Sequence, residues 1–306
     1  MNTETLPTSP DRPASPAITT EQALGETTTA LRDKGVSDPG RWAETLLASV
    51  LAMPHRALEG RAGRPLAPAE AERLHALLSQ VTPDAPVAYL VNQAPFLDGD
   101  FEVTRDTLIC KPDTELFVQL ILDELARHPL PPNPHVLELC TGSGCIAITL
   151  AERLPGSRVV ATDLSPAALT VARRNIARHG LGSRIVPGEG DLFAPVAALA
   201  DGRPFDLIVS NPPYIPTEKI DAMGRHVAEH EPHLALDGGE DGLDPHRRIL
   251  AEAPGYLAPS GRLFLEHEHY HGQAARALAQ DLPAYEAVRT FSDANHCDRA
   301  LYARRR

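Results

Sequence analysis

The chain has 306 residues, a formal net charge of −12 and a hydrophobic fraction of 42%. That length holds one large domain and a small one, and no apolar run approaches the ~18 residues that a membrane-spanning helix needs. The acidity argues against phosphate-dominated binding of nucleic acid, which calls for a basic footprint, and is compatible with a basic protein partner.

Residues 1–18 are rich in Pro, Thr and Ser, which predicts a disordered tail. The tail has neither the basic-then-apolar pattern of a secretory signal nor an Arg-rich transit pattern, so a cytoplasmic location is expected. From Thr19 the pattern turns helical, with Leu24 and Leu31 seven apart and Gly35 as a stop. Asp38-Pro39 reads as an N-cap with Pro in the first turn; Trp42, Leu46, Leu47, Val50 and Leu51 form the stripe of that second helix, closed by Pro54. Pro68 opens a third, with Leu74, Leu77, Leu78 and Val81 on one face. Residues 19–85 are therefore expected to form a small helical domain that packs or docks a substrate. Residues 86–112 read as a linker in which Asp98-Gly99, set between Phe96 and Phe101, signals a β-hairpin.

From Val136 strands and helices alternate. Strands are expected at Val136–Cys140, Arg158–Asp163, Arg184–Pro187, Phe205–Ser210 and Arg262–Glu266, and helices at Ile146–Leu154, Pro166–His179 and Pro245–Leu257. Such alternation predicts a parallel sheet with helices on both faces. Tyr285–Phe291 and Arg299–Ala303 read as two further strands with no helix between them, hence a final antiparallel hairpin. Residues 113–306 make up this α/β domain, a Rossmann-like, mostly parallel seven-stranded sheet.

Three strand ends carry candidate chemistry. Gly142 and Gly144 let the chain turn tightly after the first strand and approach a ligand closely. Asp163 closes the second strand some twenty residues on, where a carboxylate can accept both hydroxyls of a ribose. Asp191, after the third strand, can receive an adenine amino group. A pyrophosphate binder would favour a third glycine where Ala147 stands, and adenosine without phosphates calls for carboxylates rather than a phosphate cradle. The expected cofactor is S-adenosyl-L-methionine. After the fourth strand comes Asn211-Pro212-Pro213-Tyr214, a stiff corner whose prolines have fixed φ and no N–H. Its oxygen atoms and aromatic face suit a planar –NH2 group, although alone it is also a plain Pro-rich turn.

With these residues in place the chain resembles the HemK/PrmC-type protein-glutamine methyltransferases, class I enzymes that use S-adenosyl-L-methionine. The resemblance rests on Glu138–Ile146, Asp163, Asp191-Leu192-Phe193, Asn211–Tyr214 and Glu231–Gly239, with Ala88-Tyr89-Leu90 and the helical segment upstream. It implies that Glu138, Cys140, Thr141, Gly142, Gly144, Asp163, Leu164, Asp191, Leu192 and Asn211 hold the cofactor. It further implies that the Asn211 side-chain oxygen and the Pro212 carbonyl accept hydrogen bonds from the amide nitrogen to be methylated, with Tyr214 packed on the amide plane and no metal required.

The sequence departs from the family pattern in several places. Cys140 stands where the cofactor loop has its first glycine, Cys110 and Lys111 replace Pro and Arg, and Glu266-His267-Glu268-His269-Tyr270-His271 replaces a run containing Ile-Gly. The alternating His267, His269 and His271 could ligate a metal, but such histidines are ordinarily surface or hydrogen-bonded residues and no metal is expected. Cys140 and Cys145 are expected to be packing residues rather than nucleophiles. The implied acceptor is the glutamine of the Gly-Gly-Gln loop of peptide-chain release factors. The alternatives are a small-molecule acceptor, a ribosomal-protein glutamine, whose branch Leu139–Cys145 and Tyr89–Asn92 also resemble, and a non-catalytic cofactor binder. A flipped adenine in DNA would fit the corner, but the acidity opposes it.

Overall fold

Capping and apolar spacing start the helices of the N-terminal unit. The computed structural model describes residues 18–306 and divides the chain into two units, Met1–Val81 and Thr82–Arg306. The expected tail, apart from Ile18, lies outside the described residues. Helix α1 (Thr20–Asp33) begins in a reciprocal box, the Thr19 hydroxyl accepting from the Gln22 N–H and the Gln22 side chain from the Thr19 N–H, which satisfies two of the donors a helix start leaves open. Helix α2 (Pro39–Leu51) has Asp38 as N-cap and Pro39 at its first position; it stops at Leu51, where Ala52 turns left-handed ahead of Pro54. Helix α3 (Pro68–Gln80) completes the unit. Leu31, Ala43, Leu46, Leu47 and Leu74 meet in its core.

The second unit opens with α4 (Val87–Val91), β1 (Ala94–Phe96) and β2 (Gly99–Phe101). The hairpin differs from expectation by one residue. Its two-residue turn is Leu97-Asp98, with Leu97 at φ +49°, and Gly99 is already paired with Phe96. The Phe101 ring lies where a Cβ on residue 99 would sit, at 2.8 Å, so the glycine is needed for close packing rather than for the turn.

Then follow α5 (Pro112–Arg127), β3 (His135–Leu139), α6 (Cys145–Arg153), β4 (Arg158–Asp163), α7 (Pro166–Arg178), β5 (Ile185–Glu189), α8 (Val196–Leu199), β6 (Phe205–Ser210), α9 (Arg225–Ala228), α10 (Asp244–Glu252), β7 (Leu257–Glu266), α11 (Gly272–Gln280), β8 (Arg289–Ser292) and β9 (Asp298–Arg304). Five helices are absent from the sequence-based expectation: the short α4, α8 and α9, and the longer α5 and α11. The helix expected over Pro245–Leu257 ends at Glu252, because Pro254 forces a 3-10 turn and Leu257 already belongs to β7. The strand expected from Tyr285 starts only at Arg289, since Ala287 at φ +45° breaks extended pairing; Tyr285 keeps a single bridge to Arg305.

The seven strands run in the order β5-β4-β3-β6-β7-β9-β8, parallel from β5 to β7 and antiparallel across β7, β9 and β8. Val136, Leu137, Leu139, Leu207, Ile208, Val209, Leu263, Phe264 and Leu265 are buried, as expected of strands covered on both faces. Pro187 is tolerated because β5 is an edge strand.

The chain moves from β3 outward to β5 and then returns to the far side of β3 with β6. Such a reversal opens a crevice at the carboxyl ends of the strands. Register fixes what lines it. Leu139 is level with Thr162 and with Ser210, and Ser210 with Leu265. The next residue on each strand, Cys140, Asp163, Asn211 and Glu266, therefore comes to the same edge of the sheet.

Candidate active site

A cavity of about 360 Å³ occupies this crevice, within the range of small-molecule sites. Its walls include Cys140, Thr141, Gly142, Asp163, Leu164, Asp191, Leu192 and Asn211. The β3–α6 loop forms the floor. Cys140 (φ +59°), Gly142 (+55°) and Gly144 (+83°) all adopt left-handed backbone. The conformation that the missing first glycine would have adopted is thus kept, with a cysteine in it. Burial pushes the Cys140 thiol up to about 12, so it stays protonated and is no nucleophile. Gly142 has open space where a Cβ would stand, which is where a ligand can approach the backbone.

Two side chains brace this loop. Glu138 is fully buried and does not line the cavity; its Oε2 accepts from the Thr141 hydroxyl and from the Ala147 N–H at 3.1 Å. Burial raises its carboxyl to about 8. It supports the loop from beneath through these two bonds. Asn175 of α7, which the sequence did not single out, donates to the Ser143 carbonyl at 2.9 Å.

Asp163 faces the cavity. Its Oδ2 accepts from the Gly142 N–H and its Oδ1 from the Ser165 N–H, both at 2.8 Å. Each oxygen keeps a second lone pair, so the carboxylate is aimed and still able to take two hydroxyls. Burial raises its pKa, with these N–H groups opposing the shift. Leu164 is 51% exposed, an apolar surface beside that carboxylate. Asp191 differs from the simple expectation: Arg248 of α10 donates to its Oδ2 at 2.8 Å.

At the other end stands the proline corner. Asn211 and Pro213 reach the cavity wall, whereas Pro212 is buried and Tyr214 half-buried. The Asn211 Nδ2 donates to the Thr114 hydroxyl at 3.0 Å, Thr114 donates to Glu266 Oε1 at 3.1 Å, and the Tyr214 hydroxyl donates to the same oxygen at 3.3 Å. Burial raises Glu266 to about 8 and, with the Glu266 charge, pushes Tyr214 upward. Across the mouth, Lys111 is paired with the buried carboxylate of Glu231, whose Oε2 also accepts from the Ile109 N–H at 3.3 Å. Cys110, Lys111, Pro232, Leu234 and Ala235 line this part of the wall.

The three alternating imidazoles each meet a different group rather than converging on one point. His267 Nδ1 meets the Glu268 carbonyl, His269 pairs with the Glu268 carboxylate, and His271 Nε2 meets the Asp241 carbonyl. Among the described residues no cluster of His, Cys, Asp and Glu is arranged to hold a metal ion, and no helix is long and apolar enough to cross a membrane.

A mostly parallel seven-stranded sheet closed by an antiparallel pair, with a glycine-bearing loop, a cavity-facing carboxylate and an Asn-Pro-Pro-Tyr corner at its switch point, defines a class I methyltransferase. Residues 112–241 match the methyltransferase small domain and residues 22–91 the PrmC N-terminal domain. The chain is 40% identical to the release factor glutamine methyltransferase of Moorella thermoacetica over 94% of its own length and 99% of that protein. It is 41% identical to the enzyme so named in Geobacter sulfurreducens, covering 81% and 84% of the two chains, and 39% identical to that of Cereibacter sphaeroides, covering 92% and 97%. The chain belongs to the release factor glutamine methyltransferase family.

Proposed function

We propose that this protein methylates the side-chain amide nitrogen of the glutamine in the Gly-Gly-Gln loop of peptide-chain release factors, using S-adenosyl-L-methionine. The observation that carries the reading is the shared cavity wall of Asp163 and Asn211, in a chain that matches enzymes of this name along nearly its whole length. The donor set fits the cofactor: Asp163 offers two aimed acceptors for ribose hydroxyls, the Gly142 backbone permits close approach, and Leu164 and Leu192 offer apolar surface.

When bound, the cofactor supplies a methyl group on a positively charged sulfur. An amide nitrogen is a poor nucleophile because its lone pair is delocalised into the carbonyl. The Asn211 side-chain oxygen and the Pro212 carbonyl accept its two N–H groups, raising electron density on nitrogen and fixing its direction. Positioning and preorganised dipoles thereby carry the catalysis. The Tyr214 ring packs on the acceptor amide while its hydroxyl is tied to Glu266. The helical unit, matched by the family's N-terminal domain, docks the release factor.

The test is incubation with isotopically labelled cofactor and a bacterial release factor, a ribosomal-protein substrate and candidate small molecules, followed by mass spectrometry of the digest. Label on the Gly-Gly-Gln glutamine is expected. Label on another acceptor and none on the release factor would reassign the substrate.

A further inference from the structure

Asn211 is useful as an acceptor only one way round. The oxygen and nitrogen of a carboxamide have nearly the same size and shape, and a half-turn of the side chain exchanges an acceptor for a donor. With Nδ2 facing the acceptor amide, two N–H groups would confront each other. Nothing in the Asn-Pro-Pro-Tyr corner itself selects between the two orientations, since fixed proline angles place the amide group without choosing its face.

The selection comes from elsewhere in the fold. Thr114 lies in the first turn of α5 and is buried; Glu266 is the last residue of β7 and is 2% exposed. A hydroxyl has one proton and two lone pairs. The Thr114 proton is committed to Glu266 Oε1, so toward Asn211 it offers a lone pair, and the group it accepts is Nδ2. Glu266 Oε1 is in turn filled by two hydroxyl protons, from Thr114 and Tyr214. A proton carried by this carboxyl is therefore accommodated on Oε2, which has no protein partner among the described residues, and Oε1 remains an acceptor in either ionisation state. The chain of hydrogen bonds runs in one direction, from Asn211 through Thr114 to Glu266.

We propose that Glu266, acting through Thr114, is the positioning residue that turns the Asn211 amide so that its oxygen faces the methyl acceptor. The inference rests on the reading that the Asn211 oxygen receives the acceptor amide. Glu266 touches neither substrate nor reacting atoms; its role is to fix the direction of a bond two residues removed. Take away the carboxyl and the Thr114 proton is released to serve the Asn211 oxygen, which reverses the amide.

The experiment compares steady-state methylation of a release factor by Thr114→Val, Thr114→Ser, Glu266→Met and the Thr114→Val/Glu266→Met double variant, with cofactor Kd by calorimetry and Tm alongside. Thr114→Val and Glu266→Met are each expected to lower kcat by about 10²-fold, the scale of a misplaced reacting group, with cofactor Kd and acceptor KM within a few-fold. Thr114→Ser keeps the hydroxyl and is expected to restore kcat to within about threefold of the parent. The double variant is expected to be no worse than the poorer single, as members of one chain couple. The proposal is overturned if Thr114→Val retains kcat, if Thr114→Ser is as impaired as Thr114→Val, or if the two single losses multiply. Should Glu266→Met be too unstable to assay, the Val and Ser variants at 114 decide alone. Asn211→Ala separates the two levels: full activity in that variant retracts the acceptor reading itself, whereas an inactive Asn211→Ala beside a fully active Thr114→Val retracts only the positioning role.

Discussion

At the scale of single residues, the site divides its labour between two strand ends. Asp163 is held by backbone N–H groups at 2.8 Å; in the proposed reading it serves the cofactor and Asn211 the acceptor. Asn211→Ala is therefore expected to lower kcat by at least about 10²-fold, the range seen when one preorganised polar group is removed, with cofactor Kd within a few-fold. Asp163→Ala is expected to do the opposite, weakening the cofactor by more than about tenfold, a loss of ~1.4 kcal/mol or more. Calorimetry beside steady-state assays reads both, and equal loss of cofactor binding in the two variants would refute the division. Cys140 gives a test of backbone strain. Its left-handed φ costs an L-residue roughly 1–2 kcal/mol, so Cys140→Gly is expected to be stable within about 1 kcal/mol of the parent, while Cys140→Val, β-branched at positive φ, is expected to unfold earlier in urea. These residues were legible in the sequence because each sits in a short motif. Thr114 and Glu266 were not, because their roles come from hydrogen bonds that join residues 97 and 152 positions apart.

At the scale of elements, the strand positions were legible where apolar runs are short and bounded: Arg158–Asp163 and Phe205–Ser210 match the observed strands. Helix α5 also carries a clear signal, with Pro112 at its first position and buried Thr114, Phe117, Val118, Ile121 and Leu125 on one face. The hairpin misled for a physical reason, since Asp-Gly is a turn signal and here the glycine is demanded by Phe101 instead. The ion pair between Lys111 and Glu231 ties the stretch before α5 to the one before Pro232 and so shapes the mouth. Lys111→Met leaves a buried carboxylate without its cation, which is expected to cost about 1.5–3 kcal/mol and to raise KM for the release factor more than it lowers kcat. Lys111→Arg keeps the charge and is expected to stay close to the parent. An unchanged KM in Lys111→Met would show that the mouth does not depend on this tie.

At the scale of the whole molecule, buried ionisable groups give stability a pH dependence of defined sign. Glu138 and Glu266 are raised from 4.5 to about 8 by burial. Between those values the native state holds more protons than the unfolded chain, so their contribution falls as pH rises and is lost through about 8. His246 is lowered by burial from 6.5 to about 3 while its Nε2 meets the Glu266 carbonyl at 2.9 Å. Its contribution therefore grows as pH rises across that interval. His267 and His271, also lowered by burial, act in the same direction as His246; above pH 6.5 these histidine contributions level off, the carboxyl effect dominates toward pH 8, and stability is expected to decline there. Glu266→Gln should flatten the decline, read as urea midpoints at the two ends of the interval; parallel curves for parent and variant would argue that Glu266 titrates normally. The central claim, that one crevice presents the cofactor ribose to Asp163 and a glutamine amide to the proline corner, is tested most directly by a crystal structure with S-adenosylhomocysteine and a glutamine-bearing peptide. The expected density places both ribose hydroxyls on the Asp163 carboxylate and the amide nitrogen between the Asn211 oxygen and the Pro212 carbonyl. A cofactor bound away from Asp163, or a glutamine that never reaches Asn211, would contradict it.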